Sequence, residues 1–121
     1  MNVWTIASVE DEPEATLTSW QVLELLNGDR HLVGYAVEDR EGRVSSSVQV
    51  FDSKSLCAVT SSGRVYRLKG RPGVDKQAQL VWRTWARINQ TSQFTDISSA
   101  VWAARAAAET QDVLVDNTGS P

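Results

Sequence analysis

The hydrophobic period changes once along this chain, and the change divides it in two. Up to Leu68, apolar and polar residues alternate in short runs broken by turn residues. After Gly70-Arg71-Pro72-Gly73 the apolar residues recur at helical spacing. Period two places successive side chains on opposite faces of a strand, whereas period 3.6 lines one side of a helix. Strands followed by helices is the order of an α+β domain.

In the strand half, Asn27-Gly28-Asp29 separates the strand formers of Ala15 to Leu26 from Arg30 to Val37. Asn-Gly predicts a tight hairpin with positive φ at two successive positions. His31, Val33, Tyr35 and Val37 then share a face. Glu38 to Gly42 is a second turn. Arg43 to Phe51 reads as one strand, with Val44, Ser46, Val48 and Val50 on a common face. Turns at Asp52 to Ser55 and Ser61 to Gly63 bound a short strand, Leu56 to Thr60, and Arg64 to Lys69 follows as another. Gly-Arg-Val occurs at 42–44 and again at 63–65, each time leaving a turn, which shared turn chemistry explains. A weaker strand, Asn2 to Val9, precedes the solvated loop Glu10-Asp11-Glu12-Pro13-Glu14. The sum is a curled antiparallel meander of five or six strands, barrel-like if its edges meet.

In the helical half, Ala78, Val81, Trp82, Trp85 and Ile88 fall on one face and predict a helix over Val74 to Asn89, packed across the sheet. Asp75 near its start and Arg83 and Arg87 near its end suit the helix dipole. Asp96 or Ser98 caps a short, Ala-rich second helix from Ser99 to about Thr110. A short strand is expected around Phe94, and another at the edge over Val113 to Val115. Residues 1–110 read as one domain and 111–121 as a tail. The core candidates are Trp20, Val22, Val33, Tyr35, Val48, Val50, Tyr66, Leu68, Val81 and Trp85.

A chain of 121 residues is of ordinary single-domain size. One cysteine, Cys57, excludes an internal disulfide and a multi-cysteine zinc site, and its apolar neighbours make it a small buried hydrophobe. The longest wholly apolar run is Ala100 to Ala104, far short of a membrane span. No secretory pattern opens the chain, so a cytoplasmic protein with no membrane partner is expected. Asn89-Gln90-Thr91 is then a chance match to a glycosylation site.

Catalytic signatures are few. There is no Gly-x-Ser-x-Gly elbow and no phosphate-cradling glycine loop. Adjacent carboxylates in 10–14 do not share a face, so they make no metal site. His31 is the only histidine, and an isolated histidine on an apolar face is usually structural. A small enzyme using His31 is the third reading; it needs a fold that places His31 beside a serine and a carboxylate in one cleft. The residues therefore indicate no catalytic set, no cofactor and no metal.

Charge is unevenly spread. Residues 1–41 carry nine acids against Arg30 and Arg40, whereas 64–87 carry seven bases against Asp75. Arg64, Arg67, Lys69, Arg71 and Lys76 form a stripe able to follow a phosphate backbone, with Tyr66 or a tryptophan to stack a base. Single-stranded nucleic acid or RNA is thus one candidate partner. The competing reading makes the segment a solvated strand face, or pairs it with the acidic half of the same molecule or of a second copy. Five tryptophans are the other anomaly: Trp4, Trp20, Trp82, Trp85 and Trp102. Trp82 and Trp85, three apart on one helix, cannot be buried equally. Trp85 is assigned to the core, and Trp82 and Trp102 become candidate partner contacts. The composite expectation is a non-catalytic interaction protein that associates with itself or with another protein.

Three runs carry a resemblance. They are Trp20-x-Val22-x-Glu24-Leu25-x-Asn27-Gly28-x-Arg30-His31-Leu32-Val33-Gly34-Tyr35, Glu41-Gly42-Arg43-Val44-Ser45-Ser46, and Ser62-Gly63-Arg64-Val65-Tyr66-x-Leu68-x-Gly70-x-Pro72-Gly73. Over residues 20 to about 90 the chain resembles small uncharacterised bacterial proteins carried on plasmids, genomic islands or gene cassettes. The resemblance implies an accessory protein of a mobile element and assigns no activity to any residue.

Overall fold

The computed structural model describes residues 8–107. The elements run β1 (Glu14–Leu25), β2 (Arg30–Ala36), β3 (Glu41–Val44), β4 (Val48–Asp52), β5 (Cys57–Thr60), β6 (Val65–Leu68), α1 (Lys76–Ile88) and β7 (Phe94–Asp96). A second helix, α2, starts at 98 and is described through 107. The expected strands over Asn2 to Val9 and Val113 to Val115, the tail 111–121 and Trp4 fall outside, or almost wholly outside, the described residues.

The fold is α+β, with one correction to the connectivity. The strand order is β3-β2-β1-β6-β5-β4, and β1 pairs with β6 in parallel, so the sheet is mixed and not a simple antiparallel meander. The long β1 has β2 along one side. Its other side is divided between β6, beside Glu14 to Leu17, and β7, beside Leu23 to Leu25. A second correction concerns Arg43 to Phe51. This is two strands, β3 and β4, at opposite edges of the sheet.

Only Ser45-Ser46-Ser47 joins those edges. Val44 to Val48 spans at most about 14 Å of extended chain. Five strand spacings of a flat sheet would separate the same edges by about 24 Å. The sheet therefore has to curl. The seam is held on both sides: Ser45 N–H donates to the Leu32 carbonyl (2.8 Å) and Leu32 N–H to Ser45 Oγ (2.9 Å), while Ser61 N–H donates to the Ser47 carbonyl (2.8 Å) and Ser62 N–H to Ser46 Oγ (3.2 Å). No ladder joins β3 to β4, so the curl stops short of a barrel.

Two turns share one design. Leu26-Asn27-Gly28 and Ser61-Ser62-Gly63 are three-residue loops in which only the glycine takes positive φ (+92° and +90°). This is a type I turn closed by a left-handed glycine, and it replaces the two-residue turn expected from Asn-Gly. Asn27 Oδ1 accepts from Asp29 N–H (2.9 Å) instead of adopting positive φ itself.

The concave face holds the main core: Ala15, Leu17, Trp20, Val22, Leu32, Ala36, Leu56, Ala58, Tyr66 and Leu68, with Val48, Phe51, Ile97, Val101 and Trp102 packed on it. A bulge explains the membership. Thr18 pairs with Tyr35 and Gln21 with Val33, so Ser19 and Trp20 together oppose Gly34, and Ser19 has φ +47°. The extra residue flips the alternation, so odd residues point inward before it and even ones after it. Trp20 packs over Gly34, where a Cβ would lie 3.1 Å from the Trp20 Cα. A register shift between Val48 and Val50 acts in the same way on β4. Val48 and Phe51 face inward, and Val50, expected in the core, is 63% exposed.

The helix α1 covers β2 and β3 on the outer face. Its N-cap is Asp75, which accepts from Ala78 N–H (2.9 Å). The second cluster joins Leu23, Val33 and Val44 to Ala78, Trp82 and Ala86, with Leu25, Val81 and Trp85 at its margin. Gly42 sets the approach: a Cβ there would lie 2.3 Å from Ala78 N. At the far end, Ser98 Oγ accepts from Val22 N–H (2.9 Å), and both Ser98 N–H and Oγ–H donate to Asp96. These bonds fix the start of α2 to β1. Among the described residues, no helix is long and apolar enough to cross a membrane.

Two outcomes follow. Gly42→Ala forces α1 off β3 and costs about 3 kcal/mol or more in urea unfolding, because the clash is with helix backbone; an unchanged midpoint would show that the contact is soft. Burial pushes the Asp96 carboxyl up, but the bonds from Ser98 and then Gln21 outweigh it and hold the group below its ordinary value. A lowered folded-state pKa adds stability above the unfolded value, about 4, and that stability is lost as pH falls through the folded one. Asp96→Asn is therefore less stable than the parent at pH 7, and the gap closes towards pH 2.

Candidate functional site

His31 of β2, Trp82 and Trp85 of α1 and Phe94 of β7 form an aromatic row. Trp82 and Trp85 stack at 5.1 Å and 15°; His31 meets Trp85 at 4.6 Å, tilted by 52°; Phe94 meets Trp82 edge to face at 5.0 Å. The Trp85 indole thus lies between Trp82 and His31. Helical spacing brings Trp82 and Trp85 together, and the alternation of β2 aims His31 at the same face.

This assigns the tryptophans differently from the sequence. Trp82, taken as a partner contact, is 2% exposed and belongs to the core. Trp85, taken as core, is half-buried. The reason is the Gly42 approach, which turns the line Ala78–Trp82–Ala86 onto the sheet. Trp102 is half-buried against Trp20 (6.4 Å), with the Arg105 guanidinium 4.1 Å above its ring.

The basic stripe is partly engaged within the molecule. Arg64 is buried and its Nε donates to the Glu12 carbonyl (2.9 Å). Arg67 pairs with Glu14 (2.7 Å) and donates to Cys57 Sγ (3.4 Å). Cys57 itself is half-buried. Lys69, Arg71 and Lys76 are exposed. A residue outside the stripe, Arg43, is the most deeply placed cation. It donates to Glu12 (3.0 Å) and pairs with Asp39. Burial pulls its pKa down, and Glu12, Tyr66 and Asp39 more than restore it, so it stays charged.

Three clefts meet at the end of the molecule formed by the β1–β2 turn and the 89–95 segment. The first, about 470 Å³, is lined by Asp29, His31, Ser46, Ser47, Trp85 and Asn89, among others. His31 thus shares a cleft with serines and a carboxylate, but no relay connects them. His31 Nδ1 bonds the Ser45 carbonyl (2.8 Å), which places the proton on Nδ1 and leaves Nε2 as the acceptor. The hydroxyl oxygens of Ser46 and Ser47 accept from Ser62 N–H and Gln49 Nε2, and Asp29 Oδ2 accepts from Asn27. Among the described residues, no group of three or more His, Cys, Asp or Glu could hold a metal ion.

The other two clefts, about 360 and 580 Å³, share Leu25, Leu26, Ser92 and Gln93 and form one furrow around the hairpin tip. Gln90 lines it with φ +53°. Thr91 N–H donates to Ala86 O (2.8 Å) and Gln90 N–H to Arg87 O (3.2 Å), the helix-ending motif that normally takes glycine. Sequence reasoning passed over Gln90 because only the helix end reveals its backbone conformation.

No family model, curated protein or solved structure matches the chain.

Relieving the left-handed φ, Gln90→Gly raises stability by about 0.5–1 kcal/mol in denaturant unfolding. A destabilised variant would mean that the glutamine side chain holds the helix end.

Proposed function

We propose that this protein is a non-catalytic interaction module that pairs with a second copy of itself through the outer flank of α1. The observation that carries this is the ridge Leu80–Thr84–Ile88. Leu80 and Ile88 are 61% and 60% exposed, and half-buried Val81 and Trp85 lie beside them. Thr84 Oγ1 donates to the Leu80 carbonyl (3.1 Å), so its hydroxyl is satisfied within the helix and its methyl completes the ridge.

The ridge suits a second copy because it is symmetric about Thr84. A two-fold axis there sets Leu80 of one chain against Ile88 of the other, with the small threonine allowing close approach. A helix of 13 residues is about 20 Å long. Its contact is of the smaller, reversible class. A cytoplasmic, mobile-element accessory protein agrees with this role, and both remain part of the proposal.

Light scattering across a concentration series tests it. The mass rises from one chain towards two, and Leu80→Glu with Ile88→Glu weakens association by about tenfold or more. Mass that stays at one chain throughout removes the reading.

A second reading rests on the cleft that His31 shares with Asp29, Ser46 and Ser47. There His31 Nε2 would act as a general base, taking a proton from a water that attacks the carbonyl carbon of a bound ester and returning it to the departing alcohol oxygen as the ester C–O bond breaks. Hydrolysis of an activated ester above background, abolished by His31→Gln, supports it; rates equal in both proteins dismiss it.

A further inference from the structure

We propose that the furrow around the β1–β2 turn binds an extended peptide segment poor in acidic residues. The site is separate from the α1 ridge and does not depend on self-association.

Four observations converge. Among the described residues, the furrow is lined by carboxamides, hydroxyls and the apolar Leu25, Leu26 and Phe94 and by no lysine or arginine; the one charged residue there is Glu24, already paired with Arg30. A phosphate or acidic ligand finds no counter-charge there. Next, the side chains of Gln90 and Gln93 make no hydrogen bond within the described residues. A carboxamide offers a donor and an acceptor side by side, the pair that matches the C=O and N–H of a peptide unit. Apolar anchors flank these amides: Leu26 is 80% exposed and Phe94 45%. Such side chains receive the alternate residues of an extended chain, as in strand-like recognition.

The fourth observation is strain. Gln90 keeps a left-handed φ at a position where glycine costs nothing, and its side chain lines the furrow. Strain at a ligand-facing position is the pattern expected when the side chain serves a ligand. A sugar is the main competitor, because hydroxyls also suit carboxamides. The 45% exposed Phe94 ring lies at the furrow as well, so the test includes a glycan arm that separates the two ligands.

The test is panning of a random short-peptide display library against the full chain. Expected are enriched peptides depleted in Asp and Glu and carrying alternating apolar residues. Synthesised and titrated calorimetrically, they bind at least tenfold more weakly to Gln90→Gly with Gln93→Ala. They bind equally well to Leu80→Glu with Ile88→Glu, which separates this site from the ridge. Circular dichroism confirms that the furrow variant is folded. Absence of enrichment, equal binding to the furrow variant, or enrichment of acidic peptides overturns the proposal. So does binding on a glycan array that the same furrow variant loses.

Discussion

Everything on the concave side of this molecule depends on three serines. Ser45-Ser46-Ser47 must connect strands that a flat sheet would hold about 24 Å apart, with roughly half that reach. The curl that results gives Leu17, Trp20, Leu32 and Tyr66 a common interior. It also presses Ser46 and Ser47 against the β5–β6 turn, whose backbone N–H groups they satisfy. Serine suits the seam because each residue presents a small acceptor where no ladder partner exists. The Ser45 carbonyl in turn orients His31, so the constraint that shapes the core also sets the tautomer in the cleft.

Hydrophobic period revealed the kinds of element but not how they join. The hairpin and the main helix were legible because each depends on neighbours in sequence; Asp75 was read as an acid favouring the helix dipole, and its role as the cap appears only in the structure. The parallel β1–β6 pair was not, because nothing local distinguishes an edge that takes a partner 50 residues away. Two bulges limited the reading of the core. A bulge adds one residue and reverses alternation, so Val50 has the pattern of a core residue and the position of a surface one. The tryptophan assignment failed for a related reason. Helical spacing admits both Trp82 and Trp85, and the choice is made by Gly42, Ala78 and Ala86, whose smallness reads as weak hydrophobicity yet permits the closest contact.

The charge asymmetry has a topological answer. Parallel pairing sets Glu14 opposite Val65 and Thr16 opposite Arg67, and so draws the start of the acidic half alongside the basic strand. Glu12 serves Arg43 through its carboxylate and Arg64 through its carbonyl, and Glu14 serves Arg67. The exposed Arg67 pair contributes little to stability. The buried Arg43 cluster differs, because removing both of its carboxylates would strand the guanidinium charge in the interior. The stripe was legible as basic, and pairing with the acidic half was one of its readings; which residues pair was not legible, since they lie some 50 residues away in sequence.

The exposed ridge on α1 follows from the same packing. The helix carries an apolar arc too broad for one sheet, running from Leu80 through Val81 and Trp85 to Ala86. Close approach at Gly42 accepts only the narrow side, Ala78–Trp82–Ala86. Rotating the helix to bury Leu80 and Ile88 would drive their bulk into β3, where not even a Cβ fits on Gly42. The sheet cannot remove both flanks of the helix from water, so the ridge leaves solvent only against a surface outside this fold. The furrow obeys the opposite logic: its amides and hydroxyls need no cover for stability. Under the two proposals the surfaces respond to different changes, the ridge to added charge and the furrow to lost hydrogen-bonding groups.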